Sequence, residues 1–163
     1  MRNFLRLNLI LSAVFTSCIY SFSGGFPSKY RNVYIAPLNN ETNRQDITLD
    51  VQNYFIDAMR EDGRLNIVAE KQAKMKIIPT LLSFNKNASE FTESGEITVY
   101  TITIKAQILT HPVDDTLSFL KDSIFYGKGV YSASSEDEDT GIKRATEDLV
   151  NNFINKLFEI KDL

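Results

Sequence analysis

Apolar residues along the chain repeat with two different periods, and the change of period marks the elements. Over residues 47–62, Ile47, Val51, Tyr54, Phe55, Ala58 and Met59 recur at helical spacing, with Asp46 as N-cap and Gly63 as the stop. Residues 96–109 alternate instead. Thr98, Tyr100, Ile102, Ile104, Ala106 and Ile108 interleave with Val99, Thr101, Thr103, Lys105 and Gln107, a strand with one apolar and one mostly polar face. Runs rich in β-branched and aromatic residues predict further strands at 31–38, 74–84 and 117–131, the last with Leu120, Ile124, Tyr126 and Val130 on its apolar side. Pro79 cannot donate to a ladder, which predicts an edge position or a bulge. Residues 64–70 read as a short extended piece, and 39–44 and 85–95 as polar loops. A closing helix begins with Ser135 and Glu138 as a capping box, and it buries Ile142, Ala145, Leu149, Phe153, Leu157 and Ile160. The acidic residues Glu136, Asp137 and Asp139 suit the positive end of its dipole, which explains them better than a calcium site does. The order is β-α-β-β-β-α. It predicts an α+β two-layer sandwich: a four-stranded, mostly antiparallel sheet with two helices on one face, the other face wet or covered by a partner.

The first residues follow another logic. Arg2 and Arg6 precede an apolar run at 7–15, and Thr16 and Ser17 are small residues at a cleavage position. The run falls well short of the roughly 20 apolar residues of a spanning helix. Cys18, the only cysteine, follows directly, and Phe15-Thr16-Ser17-Cys18 resembles the lipobox of bacterial lipoproteins. Lipidation at Cys18 is the favoured reading. An ordinary residue near the end of a non-lipoprotein signal, or a thiol that pairs with a partner's cysteine, stay open. The Ser- and Gly-rich stretch that follows reads as a tether. The expected organisation is signal 1–17, lipidated cysteine and tether 18–30, and one domain over 31–163.

Composition narrows the function. Without Arg2 and Arg6, 16 Lys and Arg face 21 Asp and Glu, a net of −5, the opposite of a nucleic-acid binder's balance. His111, the only histidine, lies in a His-Pro turn; no serine on a nucleophile elbow could join it and Asp114 or Asp115. Zinc would want several His or Cys ligands. Gly127-x-Gly129 does not lead from a strand into a helix as a phosphate loop does. The expectation is no enzyme, no metal and no cofactor. Lys71, Lys74, Lys76 and Lys86 gather around the second strand, where they either meet phosphates or keep a strand edge from aggregating.

Five stretches carry a family resemblance. They are Cys18-Ile19-Tyr20-Ser21-Phe22-Ser23-Gly24, VYIAPLNNET, DGRLNIVAEKQAKMKIIPTLLSF, GEITVYTITIKAQIL and EDEDTGIKRATEDLVNNFINKL. Together they resemble the LptE family of lipopolysaccharide-assembly lipoproteins. The resemblance implies a non-enzymatic, lipid-anchored outer-membrane subunit that faces the periplasm. It implies an LptD-like β-barrel as partner, plugged and helped to assemble, and lipopolysaccharide passed to the outer leaflet. On that reading Lys71, Lys74, Lys76 and Lys86 would contact lipopolysaccharide. The alternative is a free-standing envelope lipoprotein that binds a small lipid or another envelope protein, and it requires an apolar pocket between sheet and helices.

Overall fold

The alternation around residues 96–109 sits at the centre of a long hairpin. A computed structural model describes residues 26–114, 119–120 and 123–160. In chain order its elements are β1 (Asn32–Ile35), β2 (Asn39–Asn40), α1 (Thr48–Asp62), β3 (Asn66–Ile67), β4 (Met75–Phe91), β5 (Ile97–Pro112), β6 (Ile124–Ser132) and α2 (Glu138–Phe158). The signal, Cys18 and most of the proposed tether lie outside the described residues. The packed chain begins within the tether's expected range, because Phe26 is buried against Phe119 and Phe158.

The α+β class and the two helices are as expected, but the sheet is not four-stranded. Six strands run in the order β3-β1-β4-β5-β6, with β2 also on β4. The sheet is mixed: β1 is parallel to both β3 and β4, and β2 is parallel to β4. β1 and β2 are one strand broken at residues 36–38, and the break falls opposite Pro79, between the pairs Ile35↔Ile77 and Asn39↔Thr80. β4 runs on to Phe91 through the stretch read as a loop, since pairing with β5 satisfies its backbone without needing apolar side chains. Helix starts differ too. α2 is capped by Asp137, whose carboxylate accepts the Thr140 N–H at 2.9 Å, rather than by Ser135. α1 has no side-chain cap, and Asp46 pairs with Arg44 instead.

Both helices bury their stripes on one sheet face. Val51, Phe55 and Met59 from α1 and Leu149, Phe153 and Leu157 from α2 share one core with Val33, Met75, Ile77, Ile102, Ile104 and Ile108. On β6 the expected face is reversed. Phe125 and Tyr131 point in, while Ile124, Tyr126 and Val130 are 45%, 56% and 41% exposed. The cause is glycine. A Cβ at Gly127 would lie 1.9 Å from the Ala145 carbonyl oxygen, and one at Gly129 would lie 2.1 Å from that of Gly141. The inward face of β6 is partly bare backbone, pressed against the backbone of α2.

That contact lets helix side chains reach the outer edge of β6. Arg144 donates to the Val130 carbonyl at 2.6 Å, Asp148 accepts the Lys128 N–H at 2.9 Å, and Asn152 donates to the Tyr126 carbonyl at 3.0 Å. Glu136 accepts the Ser132 N–H at 2.9 Å. Four helical residues rise about 6 Å and two strand residues about 6.6 Å, so the two ladders stay in step. Gly127→Ala should therefore lower stability by about 3 kcal/mol, the upper end for overpacking, because the obstacle is backbone. Urea unfolding of the two proteins side by side measures the difference.

Candidate functional site

The helix-free face of the sheet is polar and half-exposed. Register places Thr101 opposite Asn87 and Val130, Thr103 opposite Asn85 and Lys128, and Lys105 opposite Ser83 and Tyr126. Lys105 and Lys128 are diagonal neighbours there, and the Lys105 ammonium stands 5.8 Å from the Tyr126 ring. The strands carry Lys76, Lys86, Lys105 and Lys128 against Glu90 alone, whereas α1 carries Asp50, Asp57, Glu61 and Asp62 against Arg60. The molecule is thus polarised, basic on the sheet and acidic on the first helix.

The four lysines singled out from sequence do not gather in one place. Lys71 is exposed in the turn before β4. Lys74 pairs with Asp114 at 3.2 Å; Lys76 pairs with Glu70 at 3.1 Å and stands over the Tyr34 ring. Lys86 lies ten residues beyond Lys76, roughly 33 Å along an extended strand. It also lies on the opposite face. The register shifts by one between Leu81 and Ser83, so Lys76 sits opposite His111 on the outer face while Lys86 sits opposite the buried Ile102. Sequence alone gives no sign of that bulge. His111 lies within β5, paired with Lys76 one residue before the strand ends, rather than in a turn, and with Tyr34, Glu70 and Lys76 it lines a surface groove of about 240 Å³.

Lys86 belongs to a network that the sequence reading missed. Its ammonium is 2.7 Å from Glu138 Oε2 and 4.6 Å from the centroid of Tyr100, which stacks on Tyr131 at 5.3 Å. The other Glu138 oxygen accepts from Arg44 at 2.8 Å, and Arg44 also clasps Asp46 and lies over Phe84. Asn40 shapes the loop that delivers Arg44: it accepts from Thr42 N–H and donates to the Arg44 carbonyl and the Thr48 hydroxyl. One carboxylate thus ties the hairpin, the β2–α1 loop and the start of α2 together. Lys86 first, and Arg44 after it, hold the Glu138 carboxyl below the usual glutamate range. The Lys86 ammonium is raised in turn, by Glu138 first and then by Tyr131. Asp139 accepts from the Tyr54 hydroxyl, which is pushed up to about 12, and Glu136 pairs with Arg144. Each acidic residue at 136–139 therefore has a partner, and the described residues contain no metal-binding cluster.

Among the described residues the space between sheet and helices is filled: Val33, Met75, Ile77, Ile104, Phe153 and Leu157 are each 0% exposed. Grooves of about 240–330 Å³, among them the one beside His111, lie open at the surface.

The family profile described as "LptE: Lipopolysaccharide-assembly" matches residues 30–157, so the chain belongs to that family. No curated protein matches it by sequence. Its fold is similar to the hypothetical protein CT253 from Chlamydia trachomatis, with a TM-score of 0.53 at 8% identity, over 78% of this chain and 95% of that one. Lipoprotein GNA1162 from Neisseria meningitidis has a TM-score of 0.44 at 9% identity over 77% and 96% of the two chains. The rare lipoprotein B from Shewanella oneidensis has 0.39 at 10% identity over 76% and 92%.

A carboxyl held low stabilises the fold above its unfolded value, near 4.5, and loses that contribution as pH falls through its lower folded value. Glu138→Gln should cost roughly 1 kcal/mol at neutral pH, a modest sum because the network is partly exposed. The gap to the parent protein should narrow as pH falls below the usual glutamate range, and urea midpoints followed down a pH series read it directly.

Proposed function

We propose that this LptE-family chain acts without catalysis, as a lipid-anchored subunit held at the periplasmic side of the outer membrane through Cys18. In this reading it sits in the lumen of an LptD-like β-barrel, plugs it, helps it assemble, and assists the passage of lipopolysaccharide into the outer leaflet. The family match over residues 30–157 carries the proposal. Two observations support it. The half-exposed polar face formed by Thr101, Thr103, Lys105 and Lys128 suits contact with a wet barrel lumen better than it suits bulk lipid. The filled core leaves no room for a lipid between sheet and helices, which counts against a free-standing carrier. No helix among the described residues is long and apolar enough to cross a membrane, so a membrane-bound form of the domain would rely on an anchor such as Cys18. The corner that bears Lys71, Lys74 and Lys76 is where this reading places lipopolysaccharide phosphates; Lys86, on the other face and engaged by Glu138, serves the fold.

A tagged full-length chain extracted in mild detergent from its native membranes should bring down a large β-barrel in near-equal amount. Recovery of the chain from outer membranes with no barrel would sink the plug reading. Cys18→Ala should move the chain from the membrane to the soluble periplasmic fraction, as fractionation and blotting would show.

A further inference from the structure

We infer that the free flank of β4, between the register shifts at Leu81/Ser83 and Ala88/Glu90, takes an extended basic segment of another protein as an added strand. The two exposed sides of this sheet are built differently. At β6 the outward backbone groups of Tyr126, Lys128, Val130 and Ser132 are occupied by side chains from α2 and from the turn before it. A strand cannot add there without displacing four hydrogen bonds. On β4 the pairing with β2 ends at Leu81, whose carbonyl accepts the Glu41 N–H at 2.9 Å, and β4 continues to Phe91 with no strand of the described residues on that side.

Backbone polarity fixes which groups are offered. Ile108 N–H bonds the Ser123 carbonyl on the β6 side, so even-numbered residues of β5 face β6 and odd-numbered ones face β4. The pairs Ser83↔Lys105, Asn85↔Thr103 and Asn87↔Thr101 then turn residues 83, 85 and 87 toward β5. The N–H and carbonyl groups of Phe84, Lys86 and Ala88 face the free side. Register shifts at Leu81/Ser83 and Ala88/Glu90 frame this window, and a groove of about 240 Å³ between residues 41–44 and 82–84 prolongs the line of β2 into it. Exposed flanks of this kind are strand-addition sites unless something covers them.

Charge selects the occupant. Arg44 and Lys86, the cations beside the window, are already held by Asp46 and Glu138. The exposed charges in the segments that flank it are Glu41 before it and Glu90, Glu93 and Glu96 in the hairpin beyond it, while Lys105, opposite Ser83, is half-buried beside Tyr126 one strand away. Four acids repel a second copy of this chain paired edge to edge and attract a strand with alternating lysine or arginine. The inference is independent of the barrel reading, and its test involves no barrel.

The probe is an octapeptide that alternates lysine with valine or threonine, added to the isotope-labelled full chain in detergent, with a glutamate-for-lysine version as control. Amide hydrogen exchange at Phe84, Lys86 and Ala88 should slow about tenfold with the lysine peptide and stay unchanged at Tyr126 and Val130. Ala88→Pro removes one outward N–H and leaves the β5 ladder alone, so it should abolish the slowing without shifting the melting temperature. If that variant unfolds, Glu90→Lys with Glu93→Lys serves instead and should weaken the lysine peptide about threefold or more. No slowing at the three amides overturns the inference. So does equal slowing with the glutamate peptide, or slowing that grows with protein concentration in the absence of peptide, which would mark a second copy.

Discussion

The backbone-to-backbone contact between β6 and α2 is the constraint on which the rest of the fold depends. Gly127 and Gly129 have no side chain to hold the helix away, and Gly141 answers from the helix, where a Cβ would meet the Tyr131 and Ile102 side chains. Close approach is worth little by itself, since a glycine buries little surface and costs backbone entropy in a strand. Its return comes through the neighbours. Phe153 packs edge-on to Phe125 at 5.5 Å, Leu149 and Ala145 reach zero or near-zero exposure, and the polar side of the helix is drawn alongside the strand's outer edge. One geometric choice thus closes the core and seals an edge at the same time.

Legibility from sequence followed the same physics. β5 could be read because the alternate residues Ile102, Ile104, Ala106 and Ile108 are apolar and all four are buried. The stripe on α2 could be read for the matching reason at helical period. On β6 hydrophobicity does not mark the inward face, because there the inward face needs to be thin. The far half of β4 was invisible for a different reason. Its residues Asn85, Lys86, Asn87 and Ser89 look like a loop, and only the pairing partner makes them a strand. Short parallel partners such as β2 and β3, two residues each, carry no periodicity to detect.

The candidate site shows how one irregularity reassigns chemistry. Even spacing along a strand groups Lys74, Lys76 and Lys86 on one face, and a single extra residue at the Leu81/Ser83 bulge sends Lys86 through the sheet to Glu138. There its ammonium is a clasp between hairpin and helix. Lys128 went unnoticed on the outer face because of the glycine misreading, although Lys105 beside it was plain in the alternation of β5. Family membership rests on the match over residues 30–157 as a whole and not on any one of these positions.

The burial of Phe26 fixes a direction in space. That ring packs on Phe158 at the end of α2, while Lys86 meets Glu138 at the helix's other end. A helix of 21 residues separates the two, a span of about 31 Å. The hairpin then runs on from Lys86 to Phe91, another 16 Å or so at strand pitch. The domain therefore behaves as a pointer: wherever the chain upstream of residue 26 is moored, the acidic hairpin tip is aimed at the far side, some 45 Å or so away if strand and helix keep those pitches.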